Sequence, residues 1–154
     1  MTRKPHILVL TAVLSFGAAL IPMSSFAAEP AVYTSWRNNI GAGGYDVVSF
    51  FSGVPADGKS EFTAEYMGAD WKFSTQANLD LFQTNPEAFV PQYGGYCAWA
   101  LAKGKLAKGD PKHWTIEDGK LYLNYNKRIK KRWEKDIRNF IVQGDENWPA
   151  ILDK

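Results

Sequence analysis

Alternation of apolar and polar positions is clearest across residues 114–125, where Trp114, Ile116, Leu121 and Leu123 flank Asp118-Gly119. Asp-Gly is favoured in two-residue hairpin turns, and this register places Ile116 opposite Leu121 and Trp114 opposite Leu123, with four apolar side chains on one face. A second hairpin is predicted upstream, where Phe62, Ala64 and Tyr66 alternate, a turn falls at 68–70, and Trp71 and Phe73 resume the pattern. After Asn126 the period becomes helical: Ile129, Trp133, Ile137, Phe140 and Ile141 recur among Lys, Arg and Glu, predicting one helix as far as Gly144. A shorter helix is expected after a Ser74 or Thr75 cap, with Ala77, Leu81 and Phe82 on its inner face and Asn85-Pro86 as its end. Residues 98–103 are good helix formers stopped by Gly104. The β-branched and aromatic run 45–51, entered through Gly41-Ala42-Gly43-Gly44, predicts a central strand. Residues 29–39 form an irregular start anchored by Tyr33 and Trp36, and 148–152 a docked apolar tail. Short strands and helices without a βαβ rhythm define an α+β fold, a small antiparallel sheet with covering helices in a single domain.

The first residues change the reading of charge. Arg3 and Lys4 precede an apolar run over 7–23 that ends at Ser25-Phe26-Ala27, the pattern of a secretory signal peptide over residues 1–27. Gly17 and Pro22 interrupt that run, which favours a cleaved signal over a retained anchor. The expected mature domain is 28–154, exported to a periplasm or secreted. The full sequence has 18 basic and 16 acidic residues; losing Arg3 and Lys4 leaves 16 of each. A neutral domain gives no overall electrostatic drive towards nucleic acid, or towards a membrane after signal cleavage. One cysteine cannot form a disulfide within the chain, so stability rests on packing, to which six tryptophans and seven tyrosines contribute.

That cysteine lies in Tyr93-Gly94-Gly95-Tyr96-Cys97-Ala98-Trp99. Adjacent glycines permit close backbone approach, and Tyr93, Tyr96 and Trp99, with Tyr45 and Asp46, are candidate walls of a pocket around a reactive Cys97 thiol. The alternative is an inert buried sulfur. His113 is the one histidine after residue 27 and is a candidate base or ligand, or simply a residue of the hairpin strand. Cys97, His113 and Met67 would together offer soft donors to copper, and Cys97 with His113 suits zinc. Asp46 either bonds turn N–H groups or faces the pocket. The run Lys127, Arg128, Lys130, Lys131, Arg132 is followed by Glu134 and Asp136, which suits a solvated helix face better than a phosphate site. No Gly-rich phosphate loop, zinc-protease motif or serine nucleophile elbow occurs.

The residues Tyr66-x-Gly68-x-x-Trp71-x-Phe73-Ser74 and Phe82-x-x-Asn85-Pro86-x-x-Phe89 resemble the YHS domain, a module related to cysteine-rich metal-binding domains. With Gly44-Tyr45-Asp46, Tyr93 to Ala98, Asp110-Pro111 and Asp118 to Tyr125, the whole pattern is similar to exported bacterial YHS domain-containing proteins. In the metal-binding relatives cysteines stand where this chain has Ser74 and Asn78, and another falls near Ser49. Hydroxyl and amide groups are poor substitutes for thiolate, so the resemblance implies a retained fold without that metal site. Some similar proteins carry selenocysteine at a position like Cys97, which implies a site peculiar to the exported group. Three classes fit: a binding or thiol-redox protein centred on Cys97 whose partner is a small ligand or another protein, a periplasmic copper- or zinc-handling protein, and a structural or partner-binding module without chemistry. Enzymatic activity is left open by these residues.

Overall fold

The computed structural model describes residues 28–154; residues 1–27, on which the expected signal peptide falls, lie outside the described residues. Strands β1 (Lys59–Tyr66) and β2 (Ala69–Phe73) form the first antiparallel hairpin, turning through Met67 and Gly68 at φ 52° and 75°. Helix α1 (Gln76–Thr84) follows, its first turn capped by the Thr75 hydroxyl, which accepts the Asn78 N–H at 3.2 Å. The side chain that locks α1 to the hairpin is Phe82, 4.8 Å from the Phe73 ring and 5.8 Å from Trp71. Leu79 shares that face, whereas Ala77 is exposed and Leu81 is 52% exposed, so the inner face is set one step from the expected one.

After α2 (Ala98–Ala102), strands β3 (Asp110–Glu117) and β4 (Lys120–Asn124) make the second hairpin. Asp118 and Gly119 both adopt positive φ, and Ile116 pairs with Leu121 and Trp114 with Leu123 as predicted. The two hairpins are separate two-stranded sheets, and β4 divides two apolar clusters. Leu121 and Leu123 point into the first, with Phe50, Trp71, Phe73 and Phe82. Tyr122 points into the second, with Tyr93, Leu101, Trp133 and Ile151. This alternation of one strand between two cores follows from the two-residue period of side-chain direction.

Three expectations need correction. Residues 45–51 form turns and a short 3₁₀ segment, Ser49–Ser52, instead of a central strand, because the Asp46 carboxylate draws in the N–H groups of Val48 and Ser49. The long C-terminal helix is two, α3 (Lys127–Trp133) and α4 (Ile137–Asn147). The break separates Trp133, which stacks 5.3 Å from Tyr122, from Ile137, Phe140 and Ile141, which join the same cluster from α4. Helix α4 passes through Gly144, where a Cβ would lie 2.6 Å from the Tyr93 hydroxyl oxygen; this glycine serves close approach and does not stop the helix. Finally, Trp36 is 88% exposed, while Tyr33 packs edge-on at 5.5 Å against Tyr96. The tail docks as expected: Ile151 and Leu152 are buried, and the Leu152 carbonyl accepts the Glu29 N–H at 2.8 Å. No helix among the described residues is long and apolar enough to cross a membrane.

Candidate functional site

The polar centre of the first cluster is Asp46, which is 0% exposed. Its Oδ1 accepts the N–H groups of Val48 and Ser49 at 3.0 and 3.3 Å; its Oδ2 accepts the Ser74 N–H at 2.8 Å, the Ser74 hydroxyl at 2.6 Å and the Asn78 amide at 2.7 Å. The Ser49 hydroxyl donates to the Asp46 carbonyl and accepts the Ala56 N–H at 2.9 Å. A buried carboxylate demands such donors, since desolvating it without partners is costly. Ser49, Ser74 and Asn78, the positions where the resemblance placed the lost cysteines, therefore all bond to one aspartate. The chemistry of this donor set is opposite to that of a metal site: N–H and O–H protons converge here, whereas a cation needs lone pairs.

The Gly-Gly-Tyr-Cys segment is built by its backbone. Tyr93, Gly94 and Gly95 take left-handed φ values of 58°, 60° and 87° in succession. At Gly94 a Cβ would stand 1.8 Å from the Ala31 carbonyl oxygen, and the Gly94 carbonyl accepts the Tyr33 N–H at 2.9 Å. The tyrosines act as ties to distant elements. Tyr93 donates its hydroxyl to Asp145 of α4 at 2.9 Å, and Tyr96 donates to the Pro30 carbonyl at 2.9 Å. Burial, and after it the Asp145 carboxylate, push the Tyr93 hydroxyl far above the usual tyrosine range.

Cys97 precedes α2 and is 1% exposed. Its sulfur accepts the Tyr125 N–H at 3.3 Å, and its thiol faces Asn124 Oδ1 at 3.6 Å. Burial pushes the thiol pKa up, against smaller opposing pulls from the N–H groups of Ala100, Tyr125 and Trp99. The sulfur is thus held as a protonated thiol at neutral pH, and the thiolate is the nucleophilic form. Asn124, fully buried, also accepts the Trp99 N–H at 3.2 Å and so holds both the thiol and the start of α2. Among the described residues its NH₂ has no hydrogen-bond partner, and the same is true of Thr115 Oγ1 and Trp133 Nε1, both next to Tyr122. Sequence reasoning passed over Asn124; the sole signal was a polar residue at the end of the apolar alternation in β4.

The other candidates are spread out. Cys97 bridges Leu123 on one edge of β4 and Trp114 pairs with Leu123 on the other, so two strand spacings, about 10 Å of backbone, separate Cys97 from the His113 region of β3. Met67 sits in the exposed β1–β2 turn and lines a recess with Tyr93, Gly94 and Trp148. Among the described residues no three His, Cys, Asp or Glu side chains cluster to hold a metal ion. Tyr45 packs half-buried 6.0 Å from Phe50 beside the Asp46 centre, and Trp99 is half-buried with the Arg132 guanidinium 5.9 Å above its ring.

Of the predicted pocket residues, Gly95 lines a distinct cleft of about 230 Å³. Its wall is formed by Tyr33, Ser35, Asn38, Gly43, Gly95 and Gly109, with Leu123 and Pro111 also lining it. Among the described residues no charged side chain lines it. The Gly95 carbonyl is held by the Gly109 N–H at 3.1 Å, which fixes the two glycine segments side by side.

The fold and its polar centre define a small α+β module organised on a buried carboxylate. Residues 47–93 of this chain match the family model of the YHS domain, so the chain contains a YHS domain. The match covers less than half of the sequence: it includes both strands of the first hairpin, α1, Ser49, Ser74 and Asn78, and stops short of Cys97 and the second hairpin. No curated protein and no solved structure gives a significant match.

Proposed function

We propose that this YHS domain-containing chain is an exported binding protein: residues 1–27 direct export and are removed, and 28–154 work in a periplasm or outside the cell. The site is the cleft beside Gly95, and its ligand is small, polar and uncharged. One observation carries this reading: glycine backbone, Tyr33, Ser35 and Asn38 surround a cleft of about 230 Å³ with no ionic group in its wall among the described residues. Such a wall offers hydrogen bonds from few convergent polar groups over an apolar floor, the usual make-up of a small-ligand site. The Gly-Gly-Tyr-Cys segment serves the site through its backbone, with the sulfur of Cys97 directed to Asn124 and Tyr125. Binding is therefore favoured over thiol-redox or soft-metal handling, since a nucleophilic or ligating sulfur must be deprotonated and reachable.

The test is a panel of neutral amides, polyols and monosaccharides followed by amide NMR shifts. Saturable shifts at Ser35, Asn38, Gly95 and Gly109 are expected for at least one compound, and Asn38→Ala should weaken it at least tenfold while Cys97→Ser leaves it within about twofold. Shifts that saturate elsewhere, or a ligand indifferent to Asn38→Ala, would contradict the reading.

A further inference from the structure

Residues 28–154 carry 16 basic and 16 acidic residues, a balance that conceals a local segregation of charge. Lys127, Arg128, Lys131, Arg132 and Lys135 line a single open groove of about 560 Å³, and among the described residues no acidic side chain is part of its lining. Their spacing, i, i+1, i+4, i+5 and i+8, places them on one face of α3 and the turn beyond it. All five are exposed. The nearby counter-charge is engaged elsewhere: Lys130 stands off this face and pairs with Glu134 at 3.2 Å, while Asp136 precedes α4 and does not line the groove. Three like-charge pairs at i and i+4, formed by 127 with 131, 128 with 132 and 131 with 135, repel one another along the helix. An amphipathic helix made only for solubility would intersperse the signs.

The groove has an aromatic border. The Arg132 guanidinium lies over the half-buried Trp99 ring at 5.9 Å, and Tyr125, exposed just before the α3 cap at Asn126, has Lys108 over its ring at 5.6 Å. Guanidinium groups bind phosphate oxygens in pairs and ammonium groups act as point charges beside them. We propose that this groove is a binding site for a multivalent phosphate anion, either a free oligophosphate or the clustered headgroups of an anionic lipid surface. It is independent of the cleft beside Gly95, and the failure of either leaves the other standing.

Tripolyphosphate, added to the chain as the expressing cell delivers it, tests the free form by calorimetry. Vesicles of phosphatidylcholine with and without phosphatidylglycerol test the lipid form by sedimentation. The groove variant is Arg128→Gln with Lys131→Gln, both exposed positions where glutamine keeps helix propensity. The control, Lys59→Gln with Lys72→Gln, removes the same charge from the first hairpin. The expected result is that one or both probes bind wild type, that the groove variant binds at least tenfold more weakly, and that the control stays within about twofold. Response to tripolyphosphate alone assigns a free phosphate ligand, and response confined to phosphatidylglycerol vesicles assigns a membrane surface. The proposal is overturned if wild type binds neither probe, if the groove variant binds as tightly as wild type, or if both variants lose affinity equally.

Discussion

Asp46→Ala is expected to lower the free energy of unfolding by about 3–5 kcal/mol, since each buried donor left without an acceptor costs about 1–3 kcal/mol. The substitution takes away the acceptor for five donors: the N–H groups of Val48, Ser49 and Ser74, the Ser74 hydroxyl and the Asn78 amide. The Val48 and Ser49 side of this network is buried and the Ser74 and Asn78 side half-buried, so water can replace the carboxylate only in part. Asp46→Asn should be nearly as damaging. Its NH₂ would have to face one side of the site, and each side presents at least one fixed backbone N–H to it. Urea unfolding followed by tryptophan fluorescence measures both variants. A loss below about 1 kcal/mol in Asp46→Ala would mean that the segment does not depend on this carboxylate.

Gly94→Ala is the second large effect, at about 3–5 kcal/mol, because it combines a left-handed backbone with a collision. The new Cβ would lie 1.8 Å from the Ala31 carbonyl oxygen, so the 28–33 segment has to move. That movement breaks the Tyr33 N–H bond to Gly94 and the Tyr96 hydroxyl bond to Pro30. Gly68→Ala provides the comparison, for its φ is also positive at 75° but nothing lies within 4 Å of the added carbon. It should cost about 1 kcal/mol, the conformational part alone. Equal losses in the two variants would show that the contact between Gly94 and Ala31 contributes nothing beyond backbone preference.

Features written in neighbouring residues were legible in the sequence. Asp118-Gly119 fixed its own turn, and the pairs Ile116 with Leu121 and Trp114 with Leu123 followed from that turn. The first hairpin, the Thr75 cap of α1 and the short α2 have the same local character. Features set at a distance were hidden. Residues 45–51 have the composition of a strand, but their shape depends on Asp46 meeting Ser74 and Asn78, 28 and 32 positions away. The apolar period of 129, 133 and 137 runs unbroken through the gap between α3 and α4, so periodicity alone could not reveal that gap.

The site divides in the same manner. Close backbone approach at Gly94 and Gly95 was foreseeable from glycine chemistry, whereas the enclosure of Cys97 by Asn124 and Tyr125 required contacts 27 and 28 residues away. The basic run was visible as composition, and its convergence on one groove without an acid became visible only when Glu134 was seen to pair with Lys130.

The central claim is that Cys97 is a sealed, protonated sulfur supporting a glycine-walled binding cleft. Its most direct test is intact-mass analysis after iodoacetamide treatment at neutral pH, with and without urea. The account predicts no adduct on the native chain and one adduct, at Cys97, on the unfolded chain. Rapid and complete native modification, at the rate of an exposed cysteine peptide, would contradict it and return the thiol to the centre of the function.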